Sequence, residues 1–513
     1  MTPKMAKKQI TAAEMRAIEL NAEYLGVSTP QLMESAGRSV ALEVASRVVA
    51  PSRIIVYCGT GRNGGDGMVA ARHLASLGYN VSLVLVGRES DITDNVVEAN
   101  WRPVKQMTNS IQSRSVPDSS LVRAEEGEVV VDALLGIGVK GQLRPPILQA
   151  VQAINESKGF KVAVDIPTGI DADTGDVCGE AVKADLTVTF HREKTGLSKA
   201  KKYLGELKVV SLGFPPEAEF LTGPGDVSLV IKERPPESHK GDFGKLLVVG
   251  GSEIYTGAPA YVALAALRTG VDLVYVAAPE KAATIVSSFS PNLITIKLKG
   301  LHLSSGSLSE LEPWLARITG LAIGPGLGTH SDTIAAVGAL LHRVEELKLP
   351  VLLDADALKA LSGTRQKIST PAVLTPHLGE FKIVTGREIS SDLEIRQAEV
   401  QTMAHDLSCT VLLKSHTDII SDGHRCKLNR TGNPGMTVGG TGDVLSGIVS
   451  ALLCQGHDPF LAACAGAFIN GAAGDFVYLE KGYHMAATDL IEKIPKVMGD
   501  PMSHREIGPQ LRR

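Results

Sequence analysis

Along most of this chain, short apolar runs stop abruptly at glycine, proline or a carboxylate, and a helical stretch follows. In the first half the runs are 53–59, 80–87, 129–136, 161–169 and 185–191; in the second they are 245–252, 272–277, 322–328, 351–358, 372–374 and 410–418. A strand covered on both faces reads as a continuous apolar run, and its parallel neighbour can be reached only through a crossover, usually a helix. Repeated this often, the pattern predicts an α/β protein of doubly wound parallel sheets. Proline pairs at Pro215-Pro216 and Pro235-Pro236 discourage a continuous helix or central strand, so two domains are expected, 1–220 and 221–513. Two amphipathic helices precede the first run, over 11–24 with a Thr11/Glu14 capping box and over 30–49.

In such sheets ligands bind beyond the carboxyl ends of the strands. There the first half places Asn63, Asp132, Asp165 and Thr168, together with two glycine loops. One loop is Gly61-Arg62-Asn63-Gly64-Gly65-Asp66-Gly67, with a helix expected over about 68–77; the other is Gly136-Ile137-Gly138-Val139-Lys140-Gly141. Neither spacing is G-x-G-x-x-G or a P-loop. Each polar residue singly suits a helix cap. As a set they offer only oxygen ligands, which suit a hard cation.

The second half ends its series at Val438-Gly439-Gly440-Thr441-Gly442-Asp443, followed by an apolar run at helical spacing. A glycine turn opening a helix aims free N–H groups outward, and the helix dipole makes that mouth attractive to anions. Asp443 would repel a phosphate there. It is suited either to cap the helix or to take a proton from a hydroxyl lying beside a bound phosphate. Four other turns share the expected edge: Gly250-Gly251 with the small-residue helix beginning near Ala258, Gly324 to Gly328, Asp354 with Asp356, and Thr375-Pro376-His377 with Glu380. His377 suits either a substrate contact or a hydrogen bond to a loop carbonyl.

Composition excludes other classes. The net charge of −4 over 513 residues is too mild for nucleic acid or an anionic membrane as a partner. The six cysteines form no C-x-x-C pair, so neither zinc nor a disulfide framework is indicated. Lys4, Lys7 and Lys8 are not followed by a signal-length apolar run, and no uninterrupted apolar stretch reaches membrane-spanning length. A cytoplasmic protein is expected. Sites on one edge of each sheet leave a face for association, so a homo-oligomer is expected as well.

The blocks Asn63-Gly64-Gly65-Asp66-Gly67, Asp132-Ala133-Leu134-Leu135-Gly136 and Asp165-Ile166-Pro167-Thr168-Gly169 resemble the NAD(P)H-hydrate epimerase domain, over about 11–215. The resemblance implies a Rossmann-like domain in which Asn63, Asp132 and Thr168 hold potassium. The glycine loops 64–67 and 136–141 and Asp165 would surround the hydrated nucleotide, with Asp165 as acid–base residue. Gly324-Pro325-Gly326-Leu327-Gly328, Thr375-Pro376-His377 and Gly440-Thr441-Gly442-Asp443 resemble the ribokinase-like fold, in its ADP-dependent NAD(P)H-hydrate dehydratase branch, over about 227–498. Ala258, Gly326, His377 and Asp443 would then face the hydrated nucleotide. Lys414, Ser415, His416, Thr417, Asp418 and Gly442 would hold the adenine nucleotide, ADP or ATP with magnesium, and Glu380 would orient magnesium-bound water. The implied activity is repair of hydrated NADH and NADPH. The alternatives are a small-molecule kinase of the ribokinase superfamily fused to an accessory domain, and a nucleotide-sensing module without turnover. His377, where sugar kinases carry Asn, speaks against the first, and Asp443 against the second.

Overall fold

The computed structural model describes residues 9–362 and 367–507; Lys4, Lys7 and Lys8 lie outside them. The chain forms two compact units, Met1–Pro216 and Glu217–Arg513.

In the first unit the strands are β1 (Gln9–Ile10), β2 (Arg53–Cys58), β3 (Asn80–Val86), β4 (Ile111–Val116), β5 (Val129–Ala133), β6 (Phe160–Val164), β7 (Leu186–Phe190), β8 (Glu193–Lys194) and β9 (Glu206–Val210). Seven of them make an all-parallel sheet in the order β4-β3-β2-β5-β6-β7-β9, while β1 and β8 pair only with each other. The chain winds outward from β2 in one direction and restarts at β5 in the other, so the switch point falls between their carboxyl ends. Alternate residues fill cores on the two faces: Val56, Leu83 and Met68 on one, Ile55, Tyr57 and Ile154 on the other.

Helix Ala12–Tyr24 starts at the expected Thr11/Glu14 capping box. The second helix is Thr29–Ala45, shorter than the expected 30–49. A larger correction concerns the first glycine loop. The helix expected from residue 68 is Arg62–Ser76, so Asn63 to Gly67 are its first turns. Glycine is a poor helix former, but here closeness demands it. A Cβ on Gly64 would collide with the Gly59 carbonyl oxygen, and one on Gly67 with the Ala133 Cβ. The glycines press the helix mouth onto the ends of β2 and β5.

The second unit holds β10 (Lys245–Val249), β11 (Leu273–Pro279), β12 (Ile294–Leu298), β13 (Gly320–Ile323), β14 (Val351–Leu353), β15 (Ala372–Leu374), β16 (Thr410–Leu413), β17 (Asp418–Ser421) and β18 (Cys426–Asn429). The order is β12-β11-β10-β13-β14-β15-β16-β17-β18, parallel except that β17 runs antiparallel to both its neighbours, β16 and β18. Its switch point lies between β10 and β13, where the Gly251 N–H donates to Pro325 O at 2.8 Å. Helix Thr441–Cys454 packs on helix Ala258–Thr269 so closely that a Cβ on Gly447 would overlap the Val262 carbonyl oxygen.

Helix Pro459–Lys481, built of alanine, glycine and apolar residues, is long and apolar enough to cross a membrane. Asn470 and Asp475 interrupt it, so it is not the uninterrupted apolar stretch whose absence was expected. The structure buries 94% of its apolar window within the protein, so its apolarity is that of a core element.

Candidate active sites

At the first switch point the ends of β2 and β5 gather Asn63, Asp132 and Thr168. Asp132 is fully buried. Its Oδ1 accepts the Thr168 hydroxyl at 2.7 Å and its Oδ2 the Thr168 N–H at 2.8 Å, with the Leu134 N–H at 3.2 Å from Oδ1. Thr168 Oγ1 in turn accepts the Leu135 N–H at 3.0 Å. Asn63 lies over the second glycine loop, since a Cβ on Gly136 would sit 3.3 Å from Asn63 Oδ1. Asn63 Nδ2 is buried without a hydrogen-bond partner. Burial pushes the Asp132 carboxyl up to about 6 against the pull of its hydrogen bonds. Among the described residues no lysine or arginine figures in that balance. A buried carboxylate among oxygen donors, lacking a cationic side chain, is an environment that a bound cation would complete, so the residues fit a hard cation.

Asp165 follows β6 with φ 64, a left-handed conformation uncommon outside glycine. Its Oδ1 accepts from Lys194 Nζ, from Thr189 Oγ1 at 3.1 Å and from the Phe190 N–H at 3.2 Å. Asp66, on the helix mouth, is driven well above the carboxylate range by burial first, then by the charges of Asp165 and Glu19. Glu19 is raised as well, by burial, with Arg62 opposing. In the loop 136–141, Val139 is buried, Gly138 comes near Arg16, and the exposed Lys140 pairs with Asp171 at 2.9 Å and Asp173 at 3.2 Å. Sequence reasoning missed Glu19 and Lys194. Glu19 sits mid-helix without a motif, and nothing local marks Lys194 as the fully buried lysine it is.

In the second unit Asp443 stands at the third residue of helix Thr441–Cys454, whose N-cap is Gly440 with φ 96. No side chain caps that end, and among the described residues the Asp443 carboxylate accepts no hydrogen bond. The capping role is therefore set aside. Burial raises Asp443 to about 7, with Asp354 and Glu380 adding repulsion and Lys414 opposing them. Beneath it, Lys414 Nζ donates to the buried Asp354 Oδ1 at 2.8 Å and lies 3.9 Å from Glu380 Oε2, while Ser446 Oγ donates to Asp354 Oδ2 at 2.7 Å. Burial works against the charge on Lys414, yet Asp354 and Glu380 hold it above the ordinary lysine range. Asp354 is likewise held below the ordinary range by Lys414 and Ser446 despite its burial. The result is one ionised pair with a single poised carboxylate above it.

His377 caps helix Leu378–Thr385: its Nδ1 accepts the N–H groups of Gly379 at 3.0 Å and Glu380 at 3.2 Å, and Glu380 Oε2 accepts the His377 N–H at 2.8 Å. With Nδ1 accepting, Nε2 carries the ring proton, 3.5 Å from Glu380 Oε1, on a side chain that is 59% exposed. Ala258 and Gly326 meet at the switch point, where a Cβ on Gly326 would lie 3.3 Å from that of Ala258. The stretch Lys414 to Asp418 divides. Lys414 points to the carboxylates and reaches Gly442, where a Cβ would lie 3.5 Å from its Nζ. Ser415, His416 and Thr417 form the turn into β17. Ser415 N–H and Asn429 Nδ2 occupy the two oxygens of Asp418, at 2.9 and 3.0 Å, and burial pushes this carboxyl up to about 6. Ser446 was missed, although its i+3 spacing from Asp443 puts it on the same helix face.

Residues 29–196 match the family model described as YjeF-related protein N-terminus, and residues 246–496 the one described as NAD(P)H-hydrate dehydratase. The bifunctional NAD(P)H-hydrate repair enzyme Nnr of Pyrobaculum aerophilum is 46% identical, over 96% of this chain and 98% of that one. That of Hyperthermus butylicus is 43% identical, over 99% and 95%. A solved ADP/ATP-dependent NAD(P)H-hydrate dehydratase from Bacillus subtilis, co-crystallized with ATP/Mg2+, is 27% identical with a TM-score of 0.47, covering 55% of this chain and 99% of that one.

Proposed function

Because the chain belongs to the family of bifunctional NAD(P)H-hydrate repair enzymes, we propose a division of labour between its two units. The first interconverts the R and S hydrates of NADH and NADPH, and the second removes water from the S form at the expense of ADP. The observation that carries this reading is that one chain matches relatives so named over nearly its whole length, with its two halves matching two different family models.

In the second site, Asp443 takes the proton from the ring hydroxyl, whose oxygen then attacks the terminal phosphoryl group of ADP, or of ATP. Its balance near pH 7 suits a general base, because it is ionised enough to accept a proton and basic enough to want one. The N–H groups at the mouth of helix Thr441–Cys454 and the Lys414 ammonium face the charge that builds up in transfer. The phosphorylated oxygen leaves as phosphate while the ring nitrogen pushes in its electron pair, and loss of a proton from the adjacent ring carbon then restores the double bond, giving NAD(P)H and phosphate with AMP from ADP or ADP from ATP. Magnesium accompanying the nucleotide would neutralise phosphate charge, near Glu380. His377 Nε2–H, Ala258 and Gly326 would meet the hydrated nucleotide, and Gly442 with Ser415 to Asp418 the adenine nucleotide.

In the first site, Asn63, Asp132 and Thr168 would hold potassium, which supplies the positive charge that Asp132 lacks. Gly64 to Gly67, Gly136 to Gly141 and Asp165 would surround the substrate, with Asp165 moving the proton as the ring hydroxyl leaves one face and water adds to the other. Cytoplasmic location and homo-oligomeric assembly complete the reading, and sizing of the purified protein tests the latter. The direct test supplies hydrated NADH and ADP with magnesium and follows the return of near-UV dihydronicotinamide absorbance. Absence of recovery with either ADP or ATP would overturn the proposal.

A further inference from the structure

We infer that Lys194 is the positioning residue of the epimerising site: bonded to Oδ1 of Asp165, it turns the Oδ2 of that carboxylate outward as the atom that exchanges the proton. The inference rests on the reading that the first unit epimerises hydrated nucleotides.

The geometry is asymmetric. Three donors, Lys194 Nζ, Thr189 Oγ1 and the Phe190 N–H, converge on Asp165 Oδ1. Among the described residues, none reaches Oδ2. Carboxylate oxygens are ordinarily alike; here one is saturated and the other left open. Lys194 is itself fully buried, and its ammonium spends its other bonds on Thr189 Oγ1 at 3.1 Å and Phe190 O at 3.0 Å. A lysine with no exposed surface, caged by acceptors, is costly to hold unless its charge is used.

What keeps it there is β1. Ile10 is in register with Lys194, and the Thr195 N–H donates to Ile10 O at 3.0 Å. The Ala12 N–H, at the start of the next helix, donates to Asp173 at 2.7 Å. Residues 9–24 precede the segment 29–196 that matches the family model, yet they fasten the lysine and bring Glu19 to the same site. Asp165 is thus faced by Lys194 from β8, by Glu19 from helix Ala12–Tyr24, by Asp66 with Arg62 near it from helix Arg62–Ser76, and by Thr189 and Phe190 at the end of β7. Among the described residues, Lys194 is the one ammonium in direct contact with Asp165.

The test uses the full chain. Wild-type consumption of the R hydrate in the presence of excess second-unit activity establishes the epimerisation on which the inference depends; without it, the functional reading fails before the inference is tried. Lys194→Met should then lower the epimerisation kcat about 100-fold. Its KM should change less than threefold, and the acid limb of the pH–rate profile should move up by about one pH unit or more, because the carboxylate loses its counter-charge. Dehydration of the S hydrate, carried by the other unit, should be unchanged. Should Lys194→Met fail to fold, Thr189→Val removes one donor to Oδ1 with little change of shape and should shift the limb in the same direction by less. An acid limb that stays at its wild-type position in the folded variants would overturn the inference, whatever happens to kcat.

Discussion

Replacing Asp443 by Asn should make the second unit more stable and nearly inactive, and the two effects should grow together with pH. The wild-type carboxyl sits at about 7 against an ordinary 3.8. That difference corresponds to about 4 kcal/mol of preference for the neutral form in the folded state. The sign follows from linkage. A folded-state value raised above the unfolded one contributes stability that is whole below about pH 4 and lost as pH rises through 7. By pH 8 the ionised Asp443 therefore burdens the fold, facing Asp354 and Glu380 across a site with little water. Asn keeps the shape and cannot ionise. We expect equal melting temperatures for wild type and Asp443→Asn only below about pH 4, with about a third of the full difference already present at pH 5. At pH 8 the variant should lead by several degrees in the transition of the Glu217–Arg513 unit, the scale that about 4 kcal/mol implies as an upper figure for a unit of this size. Its dehydration rate should fall by about 10²–10⁴, the usual contribution of a general base. The assay pairs calorimetry from about pH 4 to 8 with recovery of dihydronicotinamide absorbance. A stability difference that does not vary with pH, or a loss of activity below tenfold, would refute the assignment of Asp443 as a buried base.

Potassium should raise the melting temperature of the first unit more than an equal concentration of tetramethylammonium, with a larger gap at pH 8 than at pH 5, because Asp132 ionises near 6; Asp132→Asn should erase the difference. Gly64→Ala should cost the first unit about 1–3 kcal/mol or more in denaturant unfolding, and abolish epimerisation, since the new methyl would meet the Gly59 carbonyl and push the helix mouth off β2. At His377, Asn can reproduce the cap but not the Nε2–H beside Glu380. His377→Asn should therefore keep wild-type stability while raising the KM for the hydrated nucleotide, whereas His377→Ala should also lose about 1 kcal/mol. Equal KM in wild type and His377→Asn would reduce His377 to a cap alone.

The run-and-turn pattern conveyed most of the parallel architecture, because a strand buried on both faces has nowhere to hide its composition. It did not pick out the edge strands β4 and β12, where buried residues are interspersed with exposed or half-buried ones, or the four-residue strands of the hairpin β17–β18. The helix at Arg62 was placed late because glycine propensity points away from helix, and only the proximity of β2 and β5 overrides it. In the sites, residues that sit at strand ends among glycines were legible: Asn63, Asp132, Thr168, His377 and Asp443. Those that act by long reach were less so: Lys194, drawn in by a two-residue strand pair, was missed, and Lys414 was expected with the adenine nucleotide, while its ammonium joins carboxylates from the end of β14 and helix Leu378–Thr385.

Helix Pro459–Lys481 illustrates how little hydropathy alone says about surroundings. Its glycines are not there for lipid. A methyl on Gly466 would strike Val449, one on Gly471 would strike Thr431, and one on Gly474 would strike Met436. Exchanging these for leucine would give a better bilayer segment by any transfer scale and a worse interior here. In a saturation screen for folded protein, these positions should tolerate almost nothing larger than hydrogen. A segment inserted into lipid would welcome bulk outside its helix contacts. The pattern of intolerance, rather than the apolarity, distinguishes an axle from an anchor.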